Sequence, residues 1–118
     1  MSSPITELYN SFRKEVKTQI PPIEPDLAIK IMRIQRKLEK ISPTRSKPHV
    51  NLYVKYKEGV EYQEKVDRIR DKYPIQASVS RWNDGIILSG LMSIDNVQTI
   101  CSDPDITEVS GEANSRHN

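Results

Sequence analysis

The chain has 118 residues, of which 36% are hydrophobic and 29% are charged, and its formal net charge is +2. This length can supply one modest hydrophobic core and excludes two independent ones. No apolar run approaches the roughly 20 residues that cross a bilayer, and the charged N-terminal stretch lacks the apolar segment of an export signal, so we expect a cytoplasmic protein.

Residues 5–20 form the first predicted helix. Their apolar side chains recur at the spacing of one α-helical stripe. The stripe consists of Ile5, Leu8, Tyr9, Phe12 and Val16. Pro21, Pro22 and Pro25 then end the helix, because proline lacks the backbone donor that a continuing helix needs.

A second amphipathic helix is predicted to begin after Asp26, which we expect to be its N-cap. Its apolar residues alternate spacings of four and three, namely Leu27, Ile31, Ile34, Leu38 and Ile41. Two heptads are fewer than a coiled coil needs, so the helix should dock on the rest of the chain, on the first helix or on a partner. The pattern does not choose among these, and a homodimer formed by the N-terminal helices is one of the possibilities.

Residues 42–48 have the composition of a linker, with two prolines, two serines and no apolar side chain. We therefore divide the chain into an N-terminal helical extension with its linker, residues 1–48, and a second unit, residues 49–118. The extension is basic, with ten lysines and arginines against five acids, and the second unit is acidic, with eight against eleven. The basic part could attract nucleic acid, a membrane surface, an acidic protein or the acidic part of the same chain.

The second unit follows the order β-α-β-β-α-β. Alternation with period two over 50–56 predicts a strand, and helical spacing over 61–73 predicts a helix that Pro74 ends. A strand over 75–82 and a return strand over 86–92 are joined by a tight hairpin at Asn83, Asp84 and Gly85. Ser93 should cap a short helix, and a last strand covers 106–109.

This order predicts an α+β, ferredoxin-like fold with a four-stranded antiparallel sheet, preceded by the two amphipathic helices. Both crossover helices should lie on one face of the sheet and leave the other face open. An open sheet face is a surface on which a macromolecule can dock, so we expect a protein-binding function.

The segment from Gly90 to Glu112 resembles the second half of the propeptide and inhibitor domains of subtilisin-like serine proteases. In that family a strand leads into a serine-capped helix, an Asp-Pro loop and a short strand with two aliphatic residues three apart. The corresponding residues here are Ser93, Asp103, Pro104, Ile106 and Val109. The strand over 50–56 is also similar to the family's opening strand. The resemblance therefore covers residues 49–118 and leaves the N-terminal helices unexplained.

The resemblance implies a protease inhibitor or folding chaperone that acts through its sheet face and its C-terminal tail. The tail would lie in the active-site cleft by strand addition. Its subsite residues would be Ser115, Arg116, His117 and Asn118. Ser115 stands where the family usually has an apolar residue, which makes this tail more polar than the family pattern.

Carboxylates of the same family cap the N-termini of protease helices, where a negative charge meets the helix dipole. Asp84, Glu108 and Glu112 are the candidates for that role, with a solvated surface acid as the alternative for each. Trp82, next to the hairpin, could anchor a partner or pack against the N-terminal helices.

Other functions have less support in the residues. His49 and His117 have no partner at catalytic or ligand spacing, and the single cysteine, Cys101, is expected to be a small core residue, so we expect no enzyme, metal or cofactor. The main alternative is a non-inhibitory interaction or assembly module, for example a homodimeric regulator. A binder of single-stranded nucleic acid is the weaker one, because only Tyr53 and Trp82 could stack on bases and the sheet unit is acidic.

Overall fold

Two helices precede a β-α-β-β-α-β unit in the computed structural model, which describes residues 3–42 and 44–115. The helices are α1 (Pro4–Gln19), α2 (Pro25–Ile41), α3 (Tyr62–Lys72) and α4 (Ile94–Cys101). The strands are β1 (His49–Tyr56), β2 (Gln76–Val79), β3 (Gly85–Leu91) and β4 (Ile106–Asn114). The expected α+β class, with two N-terminal helices and a four-stranded antiparallel sheet, is confirmed.

The four strands lie in the order β2-β3-β1-β4, and every neighbouring pair is antiparallel. Along β1 the even-numbered residues from Val50 to Tyr56 are buried, whereas the odd-numbered ones are half-buried or exposed. Such alternation arises because successive side chains of a strand point to opposite faces. The helices therefore cover one face of the sheet.

The short connection between α1 and α2 docks on the outer edge of β4. Ile23 forms a parallel bridge beside Val109, whose backbone amide donates a hydrogen bond of 2.7 Å to the carbonyl of Pro22. Helix α2 then contacts β4 and α4. The N-terminal helices thus extend the helical layer sideways, past the edge of the sheet.

The expected N-cap of α2 is wrong. Helix α2 begins at Pro25 with Glu24 in the cap position, because proline at the first helical position has its φ already set for a helix. Asp26 lies inside the first turn, where its carboxylate accepts a hydrogen bond from Tyr9 and lies 3.1 Å from Nε of Arg13. It holds α1 against α2 rather than capping α2.

Two strand ends also differ from the prediction. Strand β2 stops at Val79 rather than at residue 82, because the amide of Ser80 donates to the carbonyl of Gly85 and closes a five-residue loop, residues 80–84. Within that loop Asn83 adopts φ of +54°. Strand β4 continues from Val109 to Asn114, since it pairs with β1 as far as His49.

One hydrophobic core is shared by both segments of the chain. It includes Val16, Ile20 and Ile31 from the N-terminal segment together with Val50 and Val97 from the sheet unit. Ile31, in the middle of α2, is fully buried. The proposed boundary near residue 48 therefore separates two stretches of sequence that pack into a common core.

Candidate functional site

The sheet face opposite the helices is formed by alternate residues of all four strands, and we call it the open face. Its rows across the sheet are Asn114, His49 and Leu91; Glu112, Asn51, Ser89 and Gln76; Ser110, Tyr53, Ile87 and Ser78; and Glu108 with Lys55. Every one of these side chains is exposed or half-buried. The described helices pack on the other side, so they leave this surface uncovered.

An apolar strip runs along β3 on the open face, interrupted between Ile87 and Leu91 by the polar row that contains Asn51 and Ser89. Ile87 is 40% exposed and Leu91 is 44% exposed, although both belong to the interior strand β3. Ile87 lies opposite the half-buried Tyr53, and Leu91 lies opposite His49. Neighbouring aliphatic and aromatic groups that face solvent on a sheet mark a surface suited to binding.

Two shallow depressions border this strip on the side of β2. One has a volume of about 620 Å³ and is lined in part by Ile75, Gln76 and Leu91. The other has a volume of about 420 Å³ and is lined in part by Gln76 and Ile87. The open face therefore has relief into which side chains of a partner can fit.

The β4 side of the open face is acidic. Glu108 and Glu112 are exposed and lie on the same face of the strand, beside the two β1 residues Lys55 and Asn51. Nζ of Lys55 is 4.0 Å from the carboxylate of Glu108 and 5.9 Å from the ring centroid of Tyr53, so it offsets one of these charges only weakly. Glu112 adds a second negative charge to this column.

Tyr53 links the open face to the loop of residues 80–84. Its hydroxyl donates a hydrogen bond to the carboxylate of Asp84 and lies 3.1 Å from the hydroxyl of the buried Ser80. The hydrogen bond from Tyr53 lowers the pKa of Asp84 below its ordinary value. Asp84 is therefore a carboxylate that the hydrogen bond from Tyr53 holds in place at the rim of the open face.

Trp82 projects from the same loop and is 72% exposed, with the guanidinium of Arg81 5.3 Å from its ring centroid. Packing against the N-terminal helices, which was one of the two expectations for this residue, is excluded by that exposure. The other expectation, an anchor for a partner, stays a prediction.

Strand β4 extends further towards the C-terminus than predicted. Because β4 continues to Asn114, Ser115 is the one described residue that follows the strand, and it is exposed. The predicted subsite residues Arg116, His117 and Asn118 lie outside the described residues. Residues 110–114 lie beyond the last strand predicted from the sequence, which covers 106–109, and in the structure they pair with β1 in the sheet.

The described residues contain no cluster of three or more histidine, cysteine or acidic side chains that could hold a metal ion. Cys101 is buried in α4, and burial raises the pKa of its thiol to about 12. At that pKa the thiol is protonated and unreactive near neutral pH. Nor does any described helix have the length and apolar character needed to cross a membrane.

Sequence reasoning missed Ile87 and Leu91 as site residues. In the structure the buried positions of β3 alternate through Ile86 and Leu88, which places Ile87 on the opposite face. The sequence gives no signal for this, because β3 is apolar over Ile86, Ile87 and Leu88 and no alternation of polarity indicates which face is buried.

Comparison with protein-family models, with curated proteins and with solved structures finds no match for this chain.

Proposed function

We propose that this chain is a protein-binding module that docks its partner on the open face and carries no catalytic chemistry of its own. The observation that carries the proposal is a continuous sheet surface, with Tyr53 and Ile87 near its centre and Leu91 at one end, that none of the described helices covers. A partner that buried this strip would gain roughly 25 cal/mol for each Å² of apolar surface removed from water.

The finer fold assignment, ferredoxin-like, is part of the proposal. The β-α-β-β-α-β order, the antiparallel pairing and the position of β2 and β4 at the two edges support it. The N-terminal segment is an addition to that arrangement, because Ile23 makes a bridge outside β4. Since a fold of this kind serves many functions, the site rather than the topology supports protein binding.

Inhibition or chaperoning of a subtilisin-like protease is the more specific form of the proposal. Exposed acids near the open face, Asp84 at its rim and Glu108 and Glu112 on β4, are suitably charged to meet the N-termini of helices on a protease surface. The tail supports inhibition less well, because residues 110–114 pair with β1 in the sheet and would not enter a protease cleft as a separate strand. The sheet face is therefore the principal contact in this proposal.

Titration of a subtilisin-type protease tests the specific form. The intact chain, a version that ends at Ser115 and the Ile87→Glu variant would be added at rising molar ratio while peptide hydrolysis is followed. We expect inhibition at stoichiometric ratio that Ile87→Glu weakens and that the shortened chain retains in part. Absence of inhibition by the intact chain rules out protease inhibition and leaves the non-inhibitory binding module.

Affinity capture tests the docking face independently of the partner's identity. Immobilised wild-type chain is compared with Ile87→Glu and with Gln98→Glu, a control that places the same carboxylate at an exposed position of α4. A protein retained by wild type and Gln98→Glu and lost with Ile87→Glu supports the proposal. Partners retained equally by all three baits contradict it.

A further inference from the structure

Helix α1 carries a second uncovered apolar surface. Its stripe ends inside the core at Val16, which is 6% exposed, and Ile20, which follows the helix, is 5% exposed. The preceding members of the stripe are exposed: Ile5 79%, Leu8 72%, Tyr9 43% and Phe12 45%. The N-terminal half of α1 therefore presents to solvent the kind of side chains that its C-terminal half buries.

We propose that the open face binds the exposed N-terminal half of helix α1 of a second copy of this chain, and that two copies bind each other reciprocally in this way in a twofold dimer. This inference rests on the proposed function, since it names the occupant of the same face. A helix laid on a sheet through apolar stripes is a standard two-layer packing. Both uncovered apolar surfaces would be buried by one arrangement.

The charges beside the two apolar surfaces are opposite. Tyr9 donates a hydrogen bond of 2.9 Å to Asp26, which shares one side of α2 with Lys30, Arg33 and Lys37 at helical spacing. Within residues 3–42 and 44–115 none of these three cations forms an ion pair. A basic column thus runs beside the stripe of α1, and the acidic column of the open face would lie opposite to it.

The position of α1 suits reciprocal binding between two copies. The connection that follows its C-terminal end is fixed at the outer edge of β4 by the bridge between Ile23 and Val109, so this end of the helix lies next to the strand that carries the acidic column. Within one copy its buried residues pack in the helical layer, on the other side of the sheet. A twofold axis near the β4 edges would place each α1 over the face of the other copy, and such an arrangement is closed.

A lipid surface fits the same residues less well. It could take up Ile5, Leu8 and Phe12 beside the basic column, but it would leave the strip of Ile87 and Leu91 exposed. The dimer uses both surfaces and matches their charges.

Sedimentation of the full chain from micromolar to submillimolar concentration is the first test. We expect reversible dimerisation of the wild type, weakened at least about tenfold by Leu8→Glu and by Ile87→Glu, because each places a carboxylate in the buried centre of the contact. Ile41→Glu is the matched control, since Ile41 is 81% exposed at the far end of α2, and it should dimerise like wild type. Circular dichroism checks folding, and Leu91→Glu replaces Ile87→Glu if that variant unfolds.

Mixing the two weakened variants gives the sharper test. Leu8→Glu retains an intact open face and Ile87→Glu retains an intact α1, so their mixture restores one of the two contacts. Native mass spectrometry should therefore detect a heterodimer in the mixture under conditions in which each variant alone is monomeric. A dimer of Ile87→Glu alone would indicate pairing between two α1 helices, and a dimer of Leu8→Glu alone would indicate pairing between two sheets; either overturns the inference.

Two further outcomes also overturn it. One is a wild-type chain that stays monomeric over the whole range, and the other is a monomer that sediments with phosphatidylglycerol vesicles in a manner that depends on Leu8. The proposed function is tested separately, because capture of another protein that depends on Ile87 would support it even if no dimer formed. If neither the dimer nor the Ile87-dependent capture were observed, both the proposed function of the open face and its proposed occupant would be ruled out.

Discussion

Tyr53 occupies the centre of the open face, and its hydroxyl determines how the loop of residues 80–84 is held. The hydroxyl donates to Asp84 and lies within hydrogen-bond distance of Ser80, whose own Oγ accepts a hydrogen bond from the amide of Trp82. The phenol thus fastens the loop that presents Trp82 to the sheet, in addition to the backbone hydrogen bond from Ser80 to Gly85. A side chain that holds a loop in this way reduces the entropy lost when the loop meets a partner.

The pKa of Asp84 makes this contact sensitive to pH. The hydrogen bond from Tyr53 is the largest influence that lowers the pKa of Asp84 from its ordinary value of 3.8. A lowered pKa in the folded state means that the ionised carboxylate stabilises the fold above the ordinary value, and that this contribution is lost as the pH falls through the folded-state pKa. The stabilisation is therefore present at neutral pH and absent in strong acid.

Tyr53→Phe should remove this dependence. We expect the variant to be less stable than wild type at neutral pH and the difference to shrink in acid below the pKa of Asp84, because protonated Asp84 no longer gains from the phenol. Urea unfolding of wild type and variant at neutral pH and in acid measures this difference in stability. Tyr62→Phe, which also removes one phenol hydroxyl, is the control, and a difference for Tyr53→Phe that does not change with pH would contradict this account.

Strand β4 brings the acidic column and the C-terminal end into the sheet, and its length depends on close approach of two backbones. Gly111 lies opposite Leu52, with φ of +148°, and a Cβ at this position would overlap the carbonyl of Asn51. Glycine is favoured here for both reasons. The residue keeps β4 paired with β1 beyond Val109.

Gly111→Ala should therefore destabilise the fold by about 2 kcal/mol or more, through strain and through the clash with the neighbouring strand. Ser110→Ala is the matched control, because the adjacent side chain points to the open face, and its change should stay within about 0.5 kcal/mol. Urea unfolding of both variants makes the comparison. Equal stability of the two variants would mean that β4 does not depend on the close approach of its backbone to β1 at Gly111.

The order and type of all eight elements follow from periodicity and from turn residues in the sequence. The end of β4 does not, because Ser110, Gly111 and Glu112 show no alternation of polar and apolar residues and have low strand propensity. What makes them a strand is pairing with β1, some 60 residues earlier in the chain. Such pairing is a tertiary effect that a local pattern does not encode.

The candidate site was predictable in outline and not in its residues. The element order predicts a sheet with one uncovered face, but the choice of Ile87 and Leu91 depends on knowing which face of β3 the helices cover. The sequence also does not determine where the N-terminal helices pack, since an amphipathic stripe fits a helix, a sheet or a partner equally well. In the structure α2 packs on α4 and β4.

At the scale of the whole molecule, the shared core predicts that the sheet unit depends on the N-terminal segment. Removal of residues 1–48 would uncover the part of the core that Leu27, Ile29 and Ile31 help to bury, and burial of each such side chain contributes about 1.5–3 kcal/mol. It would also leave the amide of Val109 without the carbonyl of Pro22. A fragment of about 70 residues has little stability to lose.

Two truncations separate this dependence from dimerisation. We expect residues 49–118 alone to unfold at least about 3 kcal/mol more easily than the full chain, or to lack a cooperative transition in urea. Deletion of residues 1–12 removes the exposed half of the α1 stripe and keeps Val16 and Ile20. It also removes the exposed hydrogen bond from Tyr9 to Asp26, so its stability at low concentration should fall by no more than about 1 kcal/mol relative to the full chain, while its dimerisation is lost. Full stability of residues 49–118 would instead show that the sheet unit is an independent domain, and that α2 covers a core which does not require it.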